Sequence, residues 1–476
     1  MPSVNRKIAI IGAGAAGLCT AKYLLDDGHD VTVFEIGTQV GGIWVYDNDN
    51  GRSSAYKSLH VNSERRTTHF RAMPFADGVQ LFPSHTEMRE YLSTFAHSFG
   101  IYSRVRFNSR VTAVRGRSID GSDGVRVAWS VTVNDSDTED FDSVVVATGH
   151  LTDPMLPDFV DDFTGELMHS HYYRESIGYA GKRVLVVGAG NSGCDITADV
   201  CTVADRTVMS VRSPELVAPK LFLGVPLTQI TAMFEKRWLP ASTPVTVRNL
   251  ITLLVHGRME TWGLRTPDYA KHPTSHPTLI NHIAYKRVEV KPGIREVAGR
   301  CVTFTDGTAE DFDAIICATG YDIKLPFIDE PVAGVVDGSL PLYRRVVPPE
   351  YPGIYFIGFS NAAASSNLRM YEYQAEWIAD LESGRVLLPT VAQMWEGIAG
   401  QDAWVRSKYP AGPRHALEVD PRSYTTELEK ERAEGDRPRP GERPCSRRMQ
   451  SRSVEDRTLA LSVSPLQAAA MTQRGE

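Results

Sequence analysis

Two glycine-rich segments are the residues of this chain best suited to bind a charged ligand. The first reads Gly12-Ala13-Gly14-Ala15-Ala16-Gly17, and the second reads Gly188-Ala189-Gly190-Asn191-Ser192-Gly193, followed by Cys194 and Asp195. Both have the spacing Gly-x-Gly-x-x-Gly, whose glycines permit a tight turn, close approach of the backbone to a pyrophosphate and close helix packing. Unpaired N–H groups at the start of the following helix favour that negative charge. One such segment is a weak signal, but two predict two bound dinucleotides.

The sequence around each glycine segment predicts the elements that position it. Short apolar runs, Lys7–Ile11 and Arg183–Val187, come directly before the glycines, and helical patterns follow them. A buried strand, a glycine turn and a helix form the context in which this spacing binds dinucleotides. We therefore predict an α/β fold with two Rossmann-like dinucleotide-binding domains.

The next strands end differently in the two units, and this difference predicts different nucleotides. Glu35 ends the second strand of the first unit, where an acid accepts hydrogen bonds from ribose hydroxyl groups. The matching strand of the second unit ends in Arg212 and Ser213. An arginine beside a hydroxyl group suits a 2′-phosphate, which an acid would repel. We predict an ADP-containing cofactor in the first unit and NADPH in the second; a surface Glu35 and a solvated Arg212 are the alternatives.

Two further segments contain residues that could lie beside a ligand. Gly41-Gly42-Ile43-Trp44 combines glycines that let the backbone pass close to a ligand with a flat ring that can pack beside it. The alternative for this segment is a plain turn with a core tryptophan. Asn62 lies in a polar, irregular stretch, where most asparagines only cap turns. The sequence alone therefore leaves the roles of both segments open.

A repeated strand design predicts how the domains are arranged. Residues 143–149 and 314–320 are apolar strands that both end in Ala-Thr-Gly, and residues 104–133 alternate as an antiparallel insert. We predict a first dinucleotide domain in two parts, 1–175 and 315–429, with the NADPH domain inserted at 176–314. From residue 430 the chain is rich in charge and proline and cannot bury enough apolar surface to fold, so 430–476 is predicted to be a disordered tail.

The composition limits partners and compartment. A net charge of −7 over 476 residues disfavours nucleic acid and acidic membrane surfaces as partners. The six cysteines contain no Cys-x-x-Cys pair, so we expect a reducing cytoplasm and neither a disulfide framework nor a metal site. The chain enters a strand at once and has no run of about 18 apolar residues, so we expect no signal peptide and no transmembrane helix.

The segment before the second glycine unit carries a pattern typical of one enzyme family. The pattern F-x-G-x-x-x-H-x-x-x-[Y/F] is matched by Phe163, Gly165, His169 and Tyr173. Over about residues 5–385 the chain resembles the class B flavin-containing monooxygenases. Further likeness lies in Gly41-Gly-Ile-Trp44, Tyr56-Lys-Ser58, Ala147-Thr-Gly-His150 and Cys317-Ala-Thr-Gly-Tyr321. The related Baeyer–Villiger class usually ends the pattern in tryptophan, so Tyr173 favours the N- and S-oxygenating class.

The resemblance implies FAD and NADPH as cofactors and assigns residues to each. FAD would be held by Gly12, Ala13, Gly14, Ala15, Ala16, Gly17, Glu35, Gly42, Ile43, Trp44 and Asn62. NADPH would be held by Gly188, Gly190, Asn191, Ser192, Gly193, Cys194, Asp195, Arg212 and Ser213. In the family, an asparagine at the position of Asn62 lies beside the flavin C4a atom and the nicotinamide, which makes Asn62 the predicted catalytic residue. His169 is expected to be structural.

The resemblance also implies the chemistry, that of an N,N-dimethylaniline monooxygenase. NADPH reduces FAD, O2 adds to the reduced flavin as a C4a-hydroperoxide, and bound NADP+ shields this adduct from water. One oxygen atom then passes to a small-molecule soft nucleophile, an amine nitrogen or a sulfide sulfur. The alternatives are a Baeyer–Villiger monooxygenase, an NADPH oxidase or reductase with the same two domains, and a redox sensor without turnover. A homodimer is also left open.

Overall fold

The computed structural model describes residues 5–121, 124–235, 238–240, 242–269, 274–336, 338–362, 366–410, 412 and 415–435, with the backbone alone at 118–121, 124–126 and 435. The helices are α1 (Ala15–Asp26), α2 (His85–Ser98), α3 (Asn191–Val200), α4 (Leu227–Met233), α5 (Thr243–His256), α6 (Leu279–Ala284), α7 (Glu330–Ala333), α8 (Asn367–Glu382), α9 (Val391–Lys408) and α10 (Pro421–Gly435). The strands are β1 (Lys7–Ile11), β2 (Asp30–Phe34), β3 (Val105–Arg106), β4 (Val111–Gly121), β5 (Gly124–Val133), β6 (Asp137–Phe141), β7 (Ser143–Val146), β8 (Asp153–Pro154), β9 (Glu166–His169), β10 (Arg183–Val187), β11 (Arg206–Ser210), β12 (Val217–Ala218), β13 (Leu221–Phe222), β14 (Val225–Pro226), β15 (Thr274–Ser275), β16 (Val288–Lys291), β17 (Ile294–Ala298), β18 (Cys301–Phe304), β19 (Ala309–Asp311), β20 (Ala314–Cys317), β21 (Tyr321–Asp322), β22 (Ile354–Phe356), β23 (Asn361–Ala362) and β24 (Glu418–Val419).

The first sheet is parallel and has the order β22-β7-β1-β2-β3. Its central strands are continuous apolar runs because both faces are covered, and α1 and α8 pack together on one face. Strand β22 lies some two hundred residues after β7 in the chain, yet the two strands pair directly. The first domain is therefore discontinuous, as predicted.

The second sheet is also parallel, with the order β16-β11-β10-β20-β9. Helix α3 follows β10 and packs against β10 and β11, which completes the strand–turn–helix unit. The antiparallel sheet β4-β5-β6 lies between β3 and β7 in the chain. Two Rossmann-like domains, one inserted in the other, and an antiparallel insert are thus confirmed.

The predicted domain limits do not coincide with the second sheet. Strand β9 belongs to this sheet, although the limit at 175/176 assigns it to the first domain. Strand β20 also belongs to it, so the limit at 314/315 falls inside a strand. Strand pairing, which joins residues far apart in the chain, places both strands in the second sheet, and the domain limits stay predictions. A four-residue strand carries no local signal that tells which sheet it will join.

The predicted start of the tail at residue 430 is wrong, because α10 continues to Gly435. Arg432 of its last turn donates to Asp380 at 2.5 Å and also binds Glu376, both on α8. Glu431 accepts a hydrogen bond from the Tyr343 hydroxyl at 2.5 Å. Glu431 and Arg432, two charged residues at the predicted start of the tail, therefore have partners elsewhere in the fold. The rest of the predicted tail, 436–476, lies outside the described residues.

None of the helices in the described part of the chain combines the length and the apolar character that a membrane crossing requires.

Candidate functional site

The first glycine turn leaves no room for a side chain at Gly12 or Gly17. A Cβ atom on Gly12, whose φ is +108°, would lie 2.6 Å from the Ala147 carbonyl oxygen, and one on Gly17 would lie 2.0 Å from the Gly12 oxygen. Helix α1 begins after Gly14, and no side chain caps its first turn. The first N–H groups of α1 therefore remain available to a pyrophosphate.

Glu35 lies at the end of β2, beside this turn. Its buried carboxylate accepts hydrogen bonds from the Ala13 N–H at 2.9 Å, the Gly37 N–H at 2.8 Å and the Asn50 side chain at 3.3 Å. Burial raises the pKa of Glu35, and these hydrogen bonds oppose the increase. The carboxylate is held in one orientation. Oε1 accepts two of these hydrogen bonds and Oε2 accepts one, so Oε2 retains a lone-pair direction for a ribose hydroxyl.

The segment that contains Ile43 and Trp44 lies against the same turn. Gly41 donates its N–H to the Ala13 oxygen at 3.0 Å, and a Cβ on Gly42 would lie 3.0 Å from the Gly14 Cα. Ile43 and Trp44 form a short 3₁₀ turn after these glycines and are both half-buried. The structure thus brings together the glycine turn of residues 12–17, Glu35 and the segment 41–44, which we call the first cradle. The glycine turn of residues 188–193, with the end of β11, is called the second cradle.

The second glycine turn repeats this geometry. A Cβ on Gly188, with φ +110°, would lie 2.5 Å from the Ala318 oxygen, and one on Gly193 would lie 2.1 Å from the Gly188 oxygen. Helix α3 begins after Gly190 without a side-chain cap. Cys194 is fully buried and donates its S–H to the Ala189 oxygen at 3.4 Å, so Cys194 can offer a ligand only its backbone.

The end of β11 also reaches the second turn. The Gly188 N–H donates to the Ser210 oxygen at 3.0 Å, so Arg212 and Ser213 follow directly after the strand that contacts the glycines. Arg212 is exposed, and its backbone oxygen accepts a hydrogen bond from the Arg265 guanidinium. Arg212 therefore follows the end of the strand at which an arginine that binds a 2′-phosphate is expected.

Residues 56–62 form a segment of the first domain that connects it to the second domain through hydrogen bonds. The Tyr56 hydroxyl donates to Asp195 at 2.6 Å, and the Ser58 hydroxyl donates to Asp199 at 3.2 Å; both acids lie on α3. Burial raises the pKa of Asp195, while the Tyr56 hydrogen bond lowers it. The Asp195 carboxylate therefore contributes to contact between the domains, a role that the motif does not indicate.

Asn62 lies at the end of this connection. Its Oδ1 atom is buried and has no hydrogen-bond partner among the described residues, and the same holds for the Thr148 hydroxyl after β7. A buried polar atom without a partner costs about 1–3 kcal/mol, so a ligand that hydrogen-bonded to these two atoms would remove that cost. Thr148 follows β7 and so lies at the carboxyl end of the first sheet, the edge at which such folds bind their ligands.

A cavity of about 920 Å³ separates the two domains next to this connection. Its walls include Ser58 and His60 from the first domain, and Asp195, Lys220 and His276 from the second. The His276 Nε2 lies 3.3 Å from Asp195, but burial lowers the pKa of His276 to about 3, so this contact joins a neutral imidazole to the acid. No sequence pattern singled out Lys220 or His276.

The segment around His169, which carries the pattern described in the sequence analysis, has a structural role. His169 ends β9, and burial lowers its pKa to about 4, which keeps the ring neutral. Its Nδ1 accepts the His171 N–H at 3.1 Å. The Tyr173 hydroxyl donates to Asp199 at 2.6 Å and so ties this linker to α3.

Two parallel sheets, each with an open glycine turn at a helix start and with a cavity between them, define a protein that binds two dinucleotides. The comparison with known proteins then identifies the family. Residues 5–434 match the family described as flavin-binding monooxygenase-like, and the chain belongs to this family. The chain is therefore a flavin-dependent NADPH monooxygenase with FAD and NADPH as cofactors, which confirms the resemblance seen in the sequence.

Known relatives support this assignment along most of the chain. Flavin-containing monooxygenase 3 of Rattus norvegicus is 30% identical over 413 residues, which are 83% of this chain and 77% of that protein. Dimethylaniline monooxygenase [N-oxide-forming] 2 of Rattus norvegicus is 30% identical over 415 residues, 83% of this chain and 76% of that protein. The structure of S-allyl-L-cysteine S-oxygenase from Allium sativum matches with a TM-score of 0.68 and 26% identity, covering 91% of this chain and 90% of the other.

Proposed function

We propose that the first glycine cradle binds FAD, that the second binds NADPH, and that Asn62 lies where the two cofactors meet. The buried Oδ1 of Asn62, which has no hydrogen-bond partner among the described residues, carries this proposal, because the segment that contains Asn62 is bonded to both domains. The residues predicted for each cradle are the ones we assign to the cofactors. When bound, FAD supplies electron transfer from NADPH to O2 and delivery of one oxygen atom.

The chain's own residues position the cofactors and exclude water. Gly12, Gly14 and Gly17 let the backbone approach one pyrophosphate, and Glu35 accepts hydrogen bonds from a ribose. Gly188 and Gly193 do the same for the second nucleotide. Asn62 offers an amide that can hydrogen-bond to the flavin or the nicotinamide and hold the two rings in a fixed relative position. The residue limits of the FAD domain and of the NADPH domain remain predictions, and we assign β9 and β20 to the NADPH domain.

For the substrate we propose a soft nucleophile, either an amine nitrogen or a sulfide sulfur. One relative is named for N-oxide formation and one structural neighbour for S-oxygenation, and Tyr173 stands where the Baeyer–Villiger class usually has tryptophan. Product analysis with a panel of tertiary amines, thioethers and cyclic ketones tests this. We expect N-oxides or sulfoxides; lactone as the main product would overturn the proposal.

We also propose a cytoplasmic location, and we leave a homodimer as a second proposal. The cysteines of the described residues form no disulfide bonds with one another, which suits a reducing compartment. Light scattering of the purified protein tests the dimer: a mass near 105 kDa would support it, since one chain is 52.6 kDa, and a mass of one chain would exclude it.

Replacing Asn62 with alanine should leave flavin reduction intact and divert electrons to hydrogen peroxide. The cavity left by the amide admits water, and the cofactors lose a bond that fixes their register. We expect anaerobic bleaching of the flavin by NADPH at the parent rate, with the peroxide released per NADPH rising until it exceeds the oxygenated product. Equal losses in bleaching and product formation would instead remove Asn62 from this role.

Replacing Arg212 with glutamine should weaken NADPH binding and leave NADH binding unchanged. The variant loses a charge-assisted hydrogen bond to the 2′-phosphate, so the KM for NADPH should rise roughly tenfold to hundredfold. Steady-state rates with both nucleotides measure this. Arg258→Gln, which removes another exposed arginine of this domain, is the control. A similar rise in both KM values for Arg212→Gln would contradict a 2′-phosphate contact.

A further inference from the structure

Lys220 reaches from the second domain to the peptide bond that precedes Asn62. Its Nζ atom donates to the Val61 carbonyl oxygen at 3.2 Å. That oxygen belongs to the same planar peptide unit as the Asn62 nitrogen, so its direction helps to set where the Asn62 side chain points. The Val61 N–H is fixed from the other side, since it donates to the Pro83 oxygen at 2.9 Å. The two bonds hold the residue before Asn62 between both domains.

The backbone at Lys220 is held by hydrogen bonds and by its buried neighbours. Its neighbours Val217 and Ala218 form β12, are fully buried and pair with β15. Its backbone oxygen accepts the Leu227 N–H at 2.9 Å. A lysine side chain normally moves freely, but this one starts from a hydrogen-bonded backbone, lines the cavity and reaches the Val61 oxygen of the first domain.

The ammonium group of Lys220 is partly buried, where its positive charge is less favourable than it would be in water. Burial lowers the pKa of Lys220, and the nearby charge of Asp195 opposes this. The ammonium lies 5.1 Å from the centre of the Phe82 ring, on the first domain, which adds a cation–π contact across the cavity. A lysine on the wall of a cavity could turn its amine to water; here it points at one carbonyl group.

We propose that Lys220 is a positioning residue that fixes Asn62 only when the NADPH domain is docked against the first domain. Lys220 itself need touch neither cofactor. Through it, the orientation of the Asn62 amide depends on the domain that carries the nucleotide. This inference rests on the role of Asn62 proposed above, and it adds a residue that no pattern in the sequence indicates.

The test compares Lys220→Met with Lys57→Met. Methionine keeps the apolar stem and removes the donor. Lys57 lies on the same segment, but its amine is exposed and pairs with the exposed Glu175, a contact worth little. In the protein without cofactors, hydrogen–deuterium exchange of a peptide spanning residues 58–66 should be about tenfold faster in Lys220→Met and unchanged in Lys57→Met.

The loaded enzymes give the second measurement. Lys220→Met should keep parent-rate flavin bleaching by NADPH, and its ratio of peroxide to oxygenated product should rise about tenfold. Lys220→Arg, which retains a donor of similar reach, should restore most of the coupling. In an Asn62→Ala background, Lys220→Met should add nothing further, because both act through one side chain.

The outcomes separate the two ideas. If Asn62→Ala uncouples the enzyme and Lys220→Met changes neither exchange nor coupling, the role of Lys220 is overturned and that of Asn62 stands. If Lys220→Met accelerates exchange but neither variant uncouples the enzyme, the proposed role of Asn62 fails. Additive uncoupling in the double variant would show that Lys220 acts on coupling by another route and would overturn the inference.

Discussion

Replacing Gly193 with alanine is expected to weaken NADPH binding roughly tenfold to hundredfold while the protein keeps its FAD. The new Cβ atom would lie 2.1 Å from the Gly188 oxygen, so the start of α3 must move away from the glycine turn. Displacement of α3 removes the N–H groups that the pyrophosphate needs. The dependence of anaerobic flavin bleaching on NADPH concentration measures the loss.

Gly178→Ala is the matched control for this change. Gly178 lies before β10 in the same domain, and a Cβ there would have nothing within 4 Å. We expect this variant to bind NADPH like the parent. Parent-like NADPH binding in Gly193→Ala would show that the second glycine turn is not the NADPH site.

Replacing Gly17 with alanine should produce the complementary defect, a protein that purifies without FAD and therefore lacks all oxygenase activity. Its Cβ would lie 2.0 Å from the Gly12 oxygen, which forces α1 away from β1. The ratio of flavin absorbance to protein absorbance measures the loss. Circular dichroism and thermal unfolding establish that the variant is folded.

Gly14→Ala separates loss of folding from loss of ligand contact. A Cβ on Gly14 would lie 3.6 Å from the Gly42 Cα, an ordinary contact, and its backbone is in the extended region, open to any residue. This variant should fold like the parent but bind FAD more weakly, since the added methyl lies where the pyrophosphate approaches. Gly400→Ala, with open space around its Cβ, should retain full flavin content. Full flavin content in both Gly14→Ala and Gly17→Ala would contradict the first cradle as the FAD site.

The elements around the two cradles could be predicted because their signals are local. The first glycine of each turn lies close to a backbone oxygen: Gly12 to the Ala147 oxygen and Gly188 to the Ala318 oxygen. These two oxygens belong to the repeated Ala-Thr-Gly ends, so the sequence shows both sides of each contact. The placement of Arg212 follows equally, because parallel strands of one sheet end at the same edge.

The remaining features depend on contacts between distant parts of the chain. The pairing of β9 with β20 joins residues about 150 positions apart, and no short pattern encodes it. The end of α10 is held by Glu376 and Asp380 on α8, which composition alone cannot reveal. Lys220 is a single lysine in an irregular stretch, and its contact with Val61 appears only when the two domains are brought together.

An anaerobic titration of the purified protein with NADPH tests whether one chain holds FAD in its first cradle and NADPH in its second, close enough for electrons to pass between them. We expect a protein with one FAD per chain whose flavin absorbance bleaches fully with about one equivalent of NADPH, since each FAD takes up two electrons. A protein that carries FAD but stays oxidised in excess NADPH, or that cannot be loaded with FAD, would rule out this arrangement.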